Sequence, residues 1–222
     1  ARVVLAAPYF AYMRQDVRFH EGEPVSARYF CELLASVVDG VVTVDPHLHR
    51  IHALADVLTV PSRTVAAAPA LAGWIARNVE RPVVVGPDAE SRQWVEAVGR
   101  AGGFDFVVLE KERRGDRDVS VSGIGDRLAA DVTPVVVDDI ASSGRTLAAG
   151  VESCLAAGSR EPVCVVVHAL CSEADLAEIR AAGAGRVVAT NTTPHPLGEI
   201  DVTELLADGV DGLLADMARG GG

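Results

Sequence analysis

The sequence predicts an α/β protein with mainly parallel sheets, divided into two units. Short apolar runs typical of buried strands alternate with longer stretches that have helical periodicity and few helix breakers. Such alternation favours parallel strands joined by right-handed crossovers. The chain has 222 residues, 49% of them hydrophobic, which is enough apolar material for one large or two small packed domains.

The predicted elements follow one another in a regular order. The strands are residues 3–7, 40–44, 83–85, 106–109, 135–137, 163–167 and 186–189. The helices are residues 26–37, 66–78, 91–101, 146–157 and 172–182. Pro61 marks one candidate boundary, and the polar, proline-containing residues 191–198 mark another. We therefore predict a first unit of residues 1–61 plus 198–222 and a second unit of residues 62–197.

Charge and composition argue against several classes of function. The formal net charge of −11 is unfavourable for general nucleic-acid binding. No apolar run reaches membrane-spanning length and no signal-peptide pattern is present, so we expect a cytoplasmic protein without a membrane partner. The cysteines show no Cys-x-x-Cys spacing, so we expect reduced thiols rather than zinc ligands or disulfides.

The strongest functional signal follows the predicted strand 135–137. Two carboxylates come first, and a short run of small, hydroxyl and basic residues then leads into a helix. Backbone N–H groups at a helix N-terminus bind phosphate, and adjacent carboxylates can accept sugar hydroxyls or hold a metal. The alternative is a plain strand-to-helix turn, with Asp and Ser chosen for capping. The residues concerned are Asp138, Asp139, Ser142, Ser143, Gly144, Arg145 and Thr146.

An aromatic-rich loop follows the first predicted strand and ends in Arg14, Gln15 and Asp16. It offers a stacking surface, and its arginine suits bidentate contacts with phosphate. The alternative is a solvated loop whose aromatic side chains pack under the sheet.

Further carboxylates and histidines follow other predicted strands. Asp45, His47 and Asp88 each come just after an apolar run, and ligands of open α/β sheets bind beyond the carboxyl ends of the strands. A divalent metal is one interpretation, and Mg²⁺ suits phosphate chemistry better than zinc does. Turn and capping roles for Asp45 and Asp88 are the alternative.

A charged segment contains Lys111, the only lysine among the 20 Lys and Arg residues, and Arg113. In an extended segment these two side chains point the same way, where they could clamp a phosphoryl group during its transfer. A solvated charged hairpin is the alternative.

In their order along the chain, these motifs resemble the ribose-phosphate pyrophosphokinase family. The order is Tyr-x-x-Tyr-x-Arg-Gln-Asp, Val-Asp-x-His, Gly-Pro-Asp, Glu-Lys-x-Arg and Val-Val-Asp-Asp-Ile-x-x-Ser-Gly-x-Thr. The resemblance covers essentially the whole chain. It implies two phosphoribosyltransferase-like α/β domains, the first incomplete because the family's N-terminal stretch is absent from this sequence.

The resemblance also implies an activity, transfer of the diphosphoryl group of ATP to the 1-hydroxyl of ribose 5-phosphate, with Mg²⁺ as cofactor and a homo-oligomeric assembly. Lys111 and Arg113 match the catalytic cations, and Arg14 and Gln15 match ATP contacts. The metal-associated positions are Asp45, His47, Asp56 and Asp88. Asp138 and Asp139 match the acceptors of the ribose hydroxyls, and residues 142–146 match the 5-phosphate loop.

Two other functions remain open at this point. A phosphoribosyltransferase would consume phosphoribosyl pyrophosphate instead of making it, and it would share the acidic phosphate-binding loop. A non-catalytic regulatory homologue is the other alternative, although the presence of both Lys111 and Arg113 argues against it.

Overall fold

The computed structural model describes residues 2–109, 112–114, 118–120, 128 and 130–219, with the backbone alone at 112–114 and 118–120. In chain order the elements are β1 (Val4–Ala7), α1 (Ser26–Ala35), β2 (Gly40–Val44), β3 (Ser62–Val65), α2 (Ala68–Asn78), β4 (Pro82–Gly86), α3 (Arg92–Gly102), β5 (Asp105–Val108), β6 (Glu112–Arg114), β7 (Asp118–Ser120), β8 (Thr133–Ala141), α4 (Arg145–Ala156), β9 (Val163–Ala169), α5 (Glu173–Ala181), β10 (Arg186–Thr190), β11 (Gly198–Ile200) and α6 (Thr203–Arg219). A short 3-10 helix covers Leu54–Asp56.

The chain divides into two compact units, Ala1–Ala67 with Val202–Gly222, and Ala68–Asp201. The predicted boundaries at 61/62 and 197/198 therefore shift to 67/68 and 201/202. The reason is strand pairing, because β3 pairs with β2 in the first unit and β11 pairs with β10 in the second.

The first unit contains a three-stranded parallel sheet in the order β1-β2-β3. α6 lies so close to this sheet that a Cβ at Gly209 would come within 2.5 Å of Val65 Cγ2. A separate cluster of buried side chains forms the core beside the loops that follow β1 and β2. It contains Phe10, Met13, Ala27, Cys31, Val41, Ile51, Leu54 and Leu58.

The second unit contains a six-stranded sheet in the order β11-β10-β9-β8-β4-β5, in which the paired strands run parallel. Val136 of β8 and Val166 of β9 belong to one core cluster with Leu147 of α4 and Ile179 of α5. β6 and β7 pair antiparallel as a separate two-stranded ribbon. The predicted α/β class with mainly parallel sheets is confirmed.

None of the helices in the described part of the chain combines the length and apolar character needed to cross a membrane. The cysteines are buried free thiols, and burial raises the pKa of the Cys154 thiol to about 12.

Candidate functional site

The loop between β8 and α4 presents a helix N-terminus, as the sequence predicts. Gly144 immediately precedes α4 and has a φ of 71°, in the left-handed region that favours glycine. A Cβ at this position would lie 2.9 Å from Ile179 Cγ1 and 3.1 Å from the Asp175 carbonyl oxygen. Both the backbone conformation and the close packing against α5 therefore require glycine here.

The first residues of α4 leave backbone N–H groups without partners inside the helix, and the helix dipole makes this end favourable for an anion. Ser143, Arg145 and Thr146 are exposed around it. Arg145 is near enough to α5 that its charge helps to lower the pKa of Asp175, after the larger effect of the hydrogen bonds from Ser172. The geometry therefore suits a phosphate group held by backbone amides and hydroxyls.

The acidic pair lies inside β8 and not after it, which corrects the predicted end of the strand at residue 137. Asp138 is in register with Val166 of β9, and Ile140 is in register with His168. The side chains of Asp138 and Asp139 therefore project on opposite faces of the strand. Asp139 is buried, with 4% of its surface exposed, while Asp138 is partly exposed.

The surroundings of Asp138 shift its pKa away from the ordinary value of a carboxyl group. Burial raises its pKa well above the ordinary value, and the negative charges of Asp139 and Asp88 raise it further. One hydrogen bond opposes this effect, since the Asp139 amide donates to Asp138 Oδ1 at 3.0 Å. The negative charges of Asp139 and Asp88 thus both act on Asp138, and no cation among the described residues contributes to the shift.

Asp88 reaches this edge from the turn after β4. Its Oδ1 accepts the backbone N–H groups of Glu90 and Ser91 at 3.0 and 3.1 Å. Ser91 Oγ donates back to the Asp88 carbonyl at 2.6 Å, and Gly86 leaves room for that hydroxyl. Asp88 therefore has the turn-forming role that the sequence left open, and its charge also acts on Asp138.

A buried polar network behind this edge was missed by the sequence reasoning. His168 Nδ1 lies 2.8 Å from Thr192 Oγ1, and the hydroxyls of Thr190 and Thr192 both reach the Val167 carbonyl, at 2.7 and 3.1 Å. Thr193 Oγ1 donates to the Ala169 carbonyl at 2.8 Å. The available signal was a threonine-rich run directly after an apolar strand, because polar groups at a buried strand end need partners.

In the first unit, the loop after β1 is anchored at every third residue. Phe10, Met13 and Asp16 are buried, with exposed fractions of 2%, 1% and 9%, while Arg14 and Gln15 are exposed. The structure thus combines both sequence interpretations of this loop. Some of its side chains pack inward, and its predicted ligand-binding residues face solvent.

Several contacts fix the exposed part of this loop. Ser26 Oγ donates to Gln15 Oε1, and the Gln15 carbonyl accepts the Ala27 amide at 3.2 Å. Tyr12 has a φ of 66°, and its ring lies 5.0 Å from the ring of Phe30 between centroids. A non-glycine residue held at positive φ is sustained by its surroundings, so these contacts indicate a defined loop conformation.

The predicted metal-associated residues of the first unit mostly close turns. Asp45, at a φ of 33°, accepts the Ala67 amide through Oδ2 at 2.8 Å. Asp56 is exposed and accepts the Ala53 amide at 3.0 Å. The rings of His47 and His49 lie edge to face with centroids 6.3 Å apart. Among the described residues, no three His, Cys, Asp or Glu side chains form a group that could hold a metal.

Lys111 lies outside the described residues. Arg113 belongs to β6 and pairs with Val119 of β7, and only its backbone is described. The extended segment expected around these two residues is therefore present at 112–114, and the direction of the side chains stays a prediction.

Comparisons with known proteins agree with this arrangement. The phosphoribosyl transferase domain family matches residues 60–203. The ribose-phosphate pyrophosphokinase of Methanopyrus kandleri is 32% identical over 95% of this chain and 72% of its own length. The enzyme of the same name from Methanothermobacter thermautotrophicus is 36% identical over 91% of this chain and 70% of its own length.

A solved structure is also similar. The phosphoribosylpyrophosphate synthetase from Mycobacterium smegmatis superimposes with a TM-score of 0.76 and 25% identity, over 96% of this chain and 71% of that one. The match covers both units, whereas the domain family covers the second unit and its borders. This chain therefore belongs to the ribose-phosphate pyrophosphokinase family.

Proposed function

We propose that this chain is a ribose-phosphate diphosphokinase. In this reaction the 1-hydroxyl oxygen of ribose 5-phosphate bonds to the β-phosphorus of ATP and loses its proton. The bond from that phosphorus to the α,β-bridging oxygen breaks, and AMP leaves. The observation that carries the proposal is the acidic strand end and helix N-terminus at residues 138–146, in a chain whose relatives over both units bear this enzyme's name.

The second unit supplies the ribose 5-phosphate side. Ser142, Ser143, Gly144 and the first residues of α4 would hold the 5-phosphate through backbone amides and hydroxyls. Asp138 and Asp139 would accept hydrogen bonds from the ribose hydroxyls. Asp138 is the more accessible acceptor of the two, since it is partly exposed while Asp139 has only 4% of its surface exposed.

The same edge fits the Mg²⁺ that we propose as cofactor. Mg²⁺ takes oxygen ligands, usually one or two carboxylates together with waters and substrate phosphates. Asp88 and Asp138 provide such oxygens, and their mutual repulsion favours a cation. When bound there, Mg²⁺ would neutralise charge on the phosphates during transfer. This fit needs no group of three protein ligands.

The first unit supplies the ATP side of the proposal. Arg14 and Gln15 are exposed on an anchored loop, which suits contacts with phosphate and with a base edge. His47 lies in the segment that follows β2. Asp45 and Asp56 already accept backbone amides, so a metal-associated role for them is supported by the family resemblance alone.

Lys111 and Arg113 are the proposed catalytic cations. Phosphoryl-type transfer needs placement and charge stabilisation more than covalent chemistry, and two cations separated by one residue suit both needs. Their assignment rests on their position in the family motif alone, because no contact among the described residues bears on it.

The direct test is to incubate the protein with Mg-ATP and ribose 5-phosphate, and to quantify AMP and phosphoribosyl pyrophosphate. We expect equal amounts of both products from the wild type. In Lys111→Ala, turnover should fall far more than the affinity for ribose 5-phosphate does. A base-dependent release of pyrophosphate without AMP would favour a phosphoribosyltransferase. Absence of both reactions in the wild type, with both substrates bound, would favour the regulatory homologue.

We also propose that the protein assembles with copies of itself. Tyr29, Leu33 and Val37 follow one face of α1 and its C-terminal end, and each has more than 60% of its surface exposed, at 63%, 63% and 64%. Such a stripe at helical spacing is typical of a protein contact surface. Light scattering on the purified protein measures the assembly. Location in the cytoplasm stays a prediction.

A further inference from the structure

We infer that Asp16 is a positioning residue, which fixes the position of the Arg14–Gln15 loop relative to the segment that carries His47. It does so through Arg50, and it contacts no substrate itself. The inference rests on the proposed role of Arg14 and Gln15 in ATP binding.

The carboxylate of Asp16 is buried beside an exposed arginine. The Asp16 side chain has only 1% of its surface exposed, while the side chain of Arg50 is 52% exposed. Both carboxylate oxygens are used, since Oδ2 accepts the Arg50 backbone N–H at 3.2 Å and Oδ1 accepts Arg50 Nη1 at 3.0 Å. Because a buried carboxylate has lost its hydration, it depends on these charge-assisted hydrogen bonds for its stabilisation.

The two partners belong to different loops. Asp16 lies in the loop between β1 and α1, and Arg50 lies in the segment after β2, 34 residues further along the chain. Since β1 and β2 are adjacent and parallel, both loops leave the same edge of the sheet. Asp16 therefore links the two segments at the edge where ligands of α/β sheets bind.

The link acts at short range on the proposed ATP contacts. Gln15 is the neighbour of Asp16, and its backbone is already fixed by the bonds to Tyr12 and Ala27 at 2.9 and 3.2 Å. Arg50 is three residues after His47. A shift of Asp16 relative to Arg50 would therefore change the spacing between Gln15 and His47, and small misplacements of binding groups have large effects on affinity and rate.

The test compares Asp16→Asn with Arg50→Met and with the double variant. The amide of Asp16→Asn loses the charge and turns a donor toward Arg50, so both bonds weaken with little change in volume. We expect the KM and the calorimetric Kd for Mg-ATP to rise by about tenfold or more, and the KM for ribose 5-phosphate to stay within about twofold. Arg50→Met keeps the hydrogen bond from its backbone N–H, so the KM and Kd for Mg-ATP should rise less than in Asp16→Asn. The double variant should resemble Asp16→Asn. Arg50→Lys, which keeps the charge, should recover part of the ATP affinity.

The control is Leu58→Ala, in the same core cluster as Met13 and Ile51. It should lower the thermal midpoint while leaving the Kd for Mg-ATP unchanged. Unchanged ATP affinity in both Asp16→Asn and Arg50→Met would overturn the inference, as would an equal loss of affinity in Leu58→Ala. If Asp16→Asn does not fold, Arg50→Met alone decides. A wild-type protein that binds no ATP at all would instead overturn the proposed function.

Discussion

At the scale of single residues, Gly144 sets the shape of the β8–α4 loop, where we propose that the 5-phosphate binds. Its φ of 71° and the 2.9 Å distance from Ile179 to the point that a Cβ would occupy are two separate requirements, one of backbone conformation and one of space. Gly158, just after α4, shares only the first, since it has a φ of 85° and nothing within 4 Å of its Cβ position. The two glycines therefore form a matched pair.

We predict that Gly144→Ala lowers both stability and ribose 5-phosphate affinity. Left-handed backbone at Ala costs about 1–2 kcal/mol, and overpacking against α5 adds about 1–3 kcal/mol. Gly158→Ala should lose only the stability that the left-handed backbone costs, and its KM for ribose 5-phosphate should be unchanged. Urea unfolding and steady-state kinetics measure the two effects. Equal behaviour of the two variants would show that the contact with α5 has no role.

The second prediction at this scale concerns the pH dependence of stability. The folded-state pKa of Asp138 is raised by burial and by Asp139 and Asp88, so ionisation of Asp138 opposes folding. Its contribution to stability is fully present below the unfolded-state pKa, and it is lost as pH rises through the raised folded-state pKa. Asp138→Asn should therefore be more stable than the wild type at neutral pH, and the difference should vanish in acid.

Chemical unfolding at several pH values, with a chelator present, measures this difference. Asp175→Asn is the control of opposite sign, because hydrogen bonds from Ser172 lower the pKa of Asp175. Its carboxylate should stabilise the fold above the unfolded-state pKa and lose that contribution as pH falls. A pH-independent difference between Asp138→Asn and the wild type would contradict the assigned repulsion.

At the scale of elements, apolar β-branched runs identified the central strands. The local sequence pattern did not predict elements whose extent depends on tertiary contacts. β8 continues through Asp138 and Asp139 because pairing with β9 outweighs the low strand propensity of Asp. α6 was not predicted, since Gly209 and Gly212 lower helix propensity. These glycines admit Val65 Cγ2 and the guanidinium of Arg63, at 2.5 and 2.8 Å from their Cβ positions.

The capping of α5 gives a prediction for an element. Ser172 Oγ accepts the Asp175 amide at 3.3 Å, and Asp175 Oδ2 accepts the Ser172 amide at 2.7 Å, which forms a capping box. Ser172→Ala should lower the free energy of unfolding by about 1 kcal/mol. Ser172→Thr should retain most of it, because threonine also caps. Urea midpoints compare the three proteins, and an equal loss in both variants would exclude the cap as the cause.

At the scale of the whole molecule, the family and the order of its motifs were readable in the sequence, and the contacts that position them were not. Asp16 to Arg50 and His168 to Thr192 span 34 and 24 residues, so no local pattern reveals either pair. Strand pairing also decides the unit boundaries, since β3 is too polar to be recognised by an apolar run.

The distribution of aromatic residues allows the two units to be followed separately. Trp74 and Trp94 lie in the second unit, whereas Tyr9, Tyr12 and Tyr29 lie in the first. Tryptophan fluorescence therefore reports unfolding of the unit proposed to bind ribose 5-phosphate, and tyrosine absorbance reports the unit proposed to bind ATP.

We predict that ribose 5-phosphate with Mg²⁺ raises the unfolding transition reported by tryptophan more than the one reported by tyrosine. A ligand at roughly 100 times its Kd stabilises the state that binds it by about 2.7 kcal/mol, and each unit has its own buried core. Mg-ATP without ribose 5-phosphate should act mainly on the tyrosine signal. Gly144→Ala should reduce the tryptophan response and leave the effect of Mg-ATP unchanged. Equal shifts of both signals with either ligand would show that the two units unfold as one. A response of the tyrosine signal alone to ribose 5-phosphate would contradict the proposal that this substrate binds at the β8–α4 loop.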